Sequence, residues 1–168
     1  MSISIRANRQ LGATKIELVV VTIIVSVLCV WLLHTLRFYQ ELTEKTVVES
    51  TIVNLRSGLR FKIADLIIKG TPERQTELLK TNPIALLDSP PNGYMGEMRT
   101  PKNVPPGTWY YEQDKGELVY IPKMSTHLAL TDGTQPDMFR LRWQIRMNDE
   151  NKGAPYLDVV ALTPFVWF

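Results

Sequence analysis

The feature that most constrains this chain is a run near its start, Leu18 to Leu36, with no formal charge and few polar groups beyond Thr22, Ser26, His34 and Thr35. About 20 predominantly apolar residues are needed to cross the hydrocarbon core of a bilayer as a helix, and this run has the length. A secretory signal has a shorter apolar region, roughly 7 to 15 residues, followed by a small-residue cleavage site. No such site follows here, so the run is expected to stay with the chain. Arg6, Arg9 and Lys15 precede it against the single acid Glu17, whereas Arg37, Glu41, Glu44 and Lys45 behind it are mixed in sign. The positive-inside rule then puts the amino terminus in the cytoplasm and everything after Leu36 on the far side. Trp31, Phe38 and Tyr39 fall near that far boundary, where aromatic rings with one wet edge are favoured.

The helix is not expected to stop at the membrane. No Pro or Gly occurs between Ala13 and Ser57, and Val48, Ile52, Leu55, Leu59, Ile63 and Leu66 recur at steps of three and four, an amphipathic stripe. The pattern predicts one helix from Ala13 to Lys69, about 85 Å long at roughly 1.5 Å per residue. Gly70, Thr71 and Pro72 supply its stop.

Most of the prolines lie in residues 70 to 107, which read as a long ordered loop with one short helix at Glu73 to Lys80. TWYYE and ELVYI flank Gln113 to Gly116, a hairpin signature. Phe139, Leu141, Trp143, Ile145 and Met147 alternate with Arg140, Arg142, Gln144 and Arg146, the pattern of a half-buried strand, and Tyr156 to Leu162 reads as another. The fold class expected is α+β: a long N-terminal helix packed on a C-terminal antiparallel sheet of three to four strands.

Function classes that need a reactive cluster find little support. His34 and His127 are the two histidines and Cys29 the one cysteine, too few for a His-based triad, a multi-His or Cys-rich metal site, or an internal disulfide. No Gly-rich phosphate loop or G-x-S-x-G elbow occurs. An enzyme is not expected, nor a cofactor or metal. The loop Asp132 to Asp137 has too few oxygen ligands for calcium, and an Asx-type turn is the plainer reading. With 19 basic and 17 acidic residues, the net charge of +2 gives no whole-chain case for nucleic acid. Arg140, Arg142 and Arg146 share one face of a strand, a spacing that suits either a solvated surface or contact with an acidic partner. The tail TPFVWF either closes the core or meets a neighbour.

The segment Gly12, Ala13, Thr14, Lys15, Ile16, Glu17, Leu18, preceded by a short basic leader and followed by the apolar run, resembles the processing site of type IV prepilins and pseudopilins. In that family a membrane peptidase cuts after the glycine, and the fifth residue of the mature chain is a glutamate; Gly12 and Glu17 occupy those places. The resemblance implies cleavage between Gly12 and Ala13, N-methylation of Ala13, and pairing of Glu17 with the amine of a neighbouring subunit during assembly. A carboxylate at the mouth of a membrane helix is costly unless something neutralises it, and that pairing would do so. The family more often has a large apolar residue where Ala13 stands and an apolar one where Lys15 stands.

The chain is accordingly read as a leader over 1–12, a transmembrane helical half over 13–36, an amphipathic half over 37–69 and a periplasmic globular pilin domain over 70–168. Tyr94, Met95 and Gly96 followed by GTWYYEQDKGELVYIP are most similar to minor pilins of the mannose-sensitive haemagglutinin type or their secretion-system cousins. The resemblance implies a structural minor pilin or pseudopilin, anchored in the bacterial inner membrane and assembled into a pilus or secretion filament. Its partners would be other pilins or pseudopilins, the prepilin peptidase, and the assembly platform protein with its ATPase. A different class of function, a membrane-anchored periplasmic module that recruits a ligand without entering a filament, is the alternative.

Overall fold

The computed structural model describes residues 14–133, 136, 138–148 and 156–168. The chain divides into two compact units, Met1–Gln40 and Glu41–Phe168. One helix, α1 (Lys15–Ile68), begins in the first and continues into the second. It ends where Gly70 turns left-handed at φ 71°. There the amide of Thr71 donates to the carbonyl of Leu66 and that of Gly70 to Ile67, the paired bonds by which a C-terminal glycine satisfies carbonyls that the helix leaves open.

Among the described residues seven strands follow: β1 (Tyr94–Met98), β2 (Thr108–Glu112), β3 (Glu117–Ile121), β4 (Leu128–Leu130), β5 (Leu141–Asn148), β6 (Tyr156–Ala161) and β7 (Phe165–Trp167). Five form one sheet in the order β1-β2-β3-β5-β6, and β4 pairs with β7 in a small second sheet. The protein is α+β, but the sheet is mixed rather than antiparallel and larger than three or four strands. β1 runs parallel to β2, with an irregularity between Tyr94 and Glu97. Its sequence, YMGEM, has no apolar alternation and holds Gly96 at φ 89°, which is why it reads as loop. β4 and β7 have three residues each, too few to carry a period. The Glu73 to Lys80 segment is helical over Pro72–Lys80 but as 3₁₀, and a second 3₁₀ turn, Pro83–Leu86, follows it.

The stripe on α1 forms one side of the main core. Val48, Ile52, Leu55, Leu59 and Leu66 are buried against Trp109, Leu118, Tyr120, Leu141, Trp143, Ile145, Leu157 and Val159 from the sheet. A second, smaller core lies on the other face of the sheet, where Tyr110, Val119 and Ile121 pack with Val104. Val104 belongs to the connection between β1 and β2, so that connection covers the outer face. β2 and β3 are therefore buried on both sides, a pattern expected of central strands.

Candidate functional site

In the first unit the long side chains from Ile16 to Leu36 lie open to the surroundings, Ile16 at 77 % and Trp31 at 67 % exposure. Every apolar position is exposed, on all sides of the helix. Its hydroxyls are neutralised locally: Thr22 donates to the carbonyl of Leu18 at 2.8 Å, Ser26 to Thr22 at 2.8 Å and Thr35 to Trp31 at 3.0 Å. A helix that satisfies its backbone and folds its hydroxyls back upon it has little to lose by leaving water. This single long apolar helix meets the requirements of length and composition for a membrane anchor.

The charged end of this segment consists of Lys15 and Glu17, both exposed. Thr14 caps it, its Oγ1 accepting from the Glu17 amide at 3.3 Å. The carboxylate also lies in the first turn, where the helix dipole favours a negative group. Gly12 and Ala13, the expected cleavage and methylation positions, lie outside the described residues.

Glu41 and Glu44 open the second unit and attach the helix to the domain. Glu41, only 2 % exposed, accepts from the His127 amide at 2.8 Å, from the Trp167 indole at 3.1 Å and, through its second oxygen, from His127 Nδ1 at 2.9 Å. Burial pushes its carboxyl up, but the amide, ring and indole together outweigh that and hold it below the usual glutamate value. One turn on, Glu44 accepts from the Tyr120 hydroxyl at 2.7 Å and from the amides of Lys123 and Met124 at 2.6 and 3.0 Å. Burial and then that bond to Glu44 push the Tyr120 hydroxyl far up, so it stays a donor. Two carboxylates thus bind the β3–β4 connection and β7 to α1. Phe168 stacks on the His127 ring at 4.7 Å. The aromatic tail closes the core at Trp167 and leaves Phe168 partly open.

Neither glutamate stands out in the sequence, where both look like solvated helix positions, and His127 reads as a loop residue. Their importance comes from the path of the connection between Pro122 and His127, which the sequence does not reveal.

The three arginines separate in role. Arg142, half-buried, reaches Glu112 at 3.0 Å and also contacts Glu117, so it is held within the domain. Burial raises the Glu112 carboxyl, yet Lys115 and Arg142 bring it net below its ordinary value. Arg146 bonds to Gln144 at 2.9 Å, and Arg140 stands exposed just before β5. The row that looked like one surface is one arginine paired with two carboxylates inside the domain and two outward cations.

Among the described residues no group of three or more His, Cys, Asp or Glu side chains is arranged to hold a metal ion. In the Asp132 to Asp137 loop, Thr134, Gln135 and Asp137 lie outside the described residues. A cleft of about 820 Å³ runs between α1 at Asn54, Gly58 and Phe61 and the loop at Leu86 to Asn92. Compared with known proteins, the chain matches no family model, no curated protein and no solved structure.

Proposed function

We propose that this chain is a structural subunit of a type IV pilus-like or type II secretion filament, a minor pilin or pseudopilin processed after Gly12. The observation that carries the reading is the first unit of α1: apolar and exposed on every side, with Glu17 as the acid at its mouth, five residues into a chain that would begin at Ala13. The second half of the same helix lies in the core of an α+β domain, which is the division of labour that the pilin fold uses. An anchor alone needs no acid, and one in that position is costly in lipid until a cation meets it. In this reading the basic leader is cytoplasmic, the domain from Glu41 onward is periplasmic, and the subunit waits in the inner membrane until the platform protein and ATPase move it into a filament. Other pilins, entering by a heterologous and non-closing contact, are its neighbours.

Intact mass of the membrane-extracted protein tests the first step. Cells with active peptidase should yield a chain that begins at methylated Ala13; an intact leader there rejects the proposal and favours an anchored binding module. Glu17→Ala should leave cleavage in place and strongly reduce recovery of the subunit in sheared filaments.

A further inference from the structure

Lys15 is the residue that the proposed assembly does not use. It and Glu17 are the charged groups at the mouth of the apolar helix, and the next charge along the chain is Arg37. Neither side chain has an ionic or hydrogen-bonding partner among the described residues. Two residues along a helix turn by about 200° and rise by about 3 Å. Lys15 and Glu17 therefore stand on opposite sides of α1 at almost one depth, and side chains two apart on a helix do not face each other. The cation cannot neutralise its own acid, but it lies at the right height to neutralise one beside it.

Resting on the reading above, we propose that the occupant of the Lys15 side of this helix is the Glu17 side of a second copy of the chain, so that Lys15 supplies a counter-charge in addition to any amine formed at Ala13. Charge complementarity at equal depth favours parallel helices. Because the cationic and anionic sides of each helix are opposed, the contact is heterologous: each copy offers an acid to one neighbour and a base to the next. The low dielectric at the membrane surface strengthens the pair, and the exposed positions below it, Thr22 on the Lys15 side and Ile24 on the Glu17 side, come together.

The test uses full-length chains in membranes of cells without the peptidase, where the leader is uncut and no amine exists at Ala13. In a Cys29→Ser background, chains with Thr22→Cys are mixed with chains with Ile24→Cys and oxidised. The mixed pair should cross-link in preference to either chain with itself. Lys15→Gln and Glu17→Gln should each lower that yield roughly three- to fivefold, and Lys15→Glu with Glu17→Lys together should restore it. No preference for the mixed pair, an unchanged yield with Lys15→Gln, or failure of the exchanged charges to restore it overturns the inference. Those outcomes leave cleavage and filament entry untouched, since these are read separately by mass and by shearing in cells that have the peptidase.

Discussion

At the scale of single residues, charge in this protein divides into groups held inside the domain and groups left outside. Arg142 is an inside group: its guanidinium neutralises Glu112, which is 6 % exposed. Arg142→Ala should destabilise the domain by about 3 kcal/mol, because it leaves a buried carboxylate with less compensation. Arg140→Ala and Arg146→Ala should stay within about 0.5 kcal/mol of the parent; thermal melts of the three variants check the contrast. Glu41 sets an acid limit. Its folded value lies below the unfolded one, so its contribution is complete above about pH 4.3 and is lost as pH falls through the folded value. Glu41→Gln should lower stability at pH 7 and flatten the loss below pH 4.3, as circular dichroism at stepped pH would show. Glycine at position 58 reverses a common expectation. Alanine in a helix ordinarily gains up to about 1 kcal/mol over glycine, but a Cβ here would stand 2.5 Å from the Leu86 carbonyl oxygen. Gly58→Ala should therefore destabilise by about 1–3 kcal/mol, measured by denaturant unfolding.

At the scale of elements, the strands show how much periodicity can and cannot reveal. β2, β3, β5 and β6 were legible, since each carries enough alternating or continuous apolar residues to declare its faces. The stripe on α1 was legible for the same reason. β1, β4 and β7 were not, because their pairing comes from where the chain is brought rather than from what it contains. At the middle of β6, an edge strand, side chains take both backbone groups of Val159: Arg56 donates to its carbonyl at 3.0 Å, and Asp158 accepts from its amide at 2.9 Å. An edge capped in this way resists the addition of another strand. The proposed assembly therefore runs through α1 rather than through this edge of the sheet.

At the scale of the whole molecule, the core lies within Glu41–Phe168 and includes the stripe on the second half of α1. A chain that begins at Gln40 should then fold cooperatively in water without detergent, whereas the full chain should require membrane or detergent. Sedimentation and calorimetry of the two forms check this; a Gln40 chain that unfolds without a transition contradicts it. The candidate site divides at the same place. The apolar run, Glu17 and Lys15 are visible in the sequence because a membrane helix is a local object whose length and charges are its signal. The anchorage by Glu41 and Glu44 is not visible, because it joins residues 76 to 126 positions apart.

What the sequence determined by itself is whatever depends on neighbours along the chain: the helix from Lys15 to Ile68 with its glycine stop, its uncharged run from Leu18 to Leu36, its apolar stripe and the longer strands. These follow from periods of two and 3.6 residues and from the properties of single side chains. Only the tertiary structure decided the parallel entry of β1, the β4–β7 pair, the burial of Glu41 and the separation of Arg142 from Arg140 and Arg146. Each of these depends on segments remote in sequence meeting in space, where a carboxylate's role is set by the donors brought to it and not by its place in a pattern.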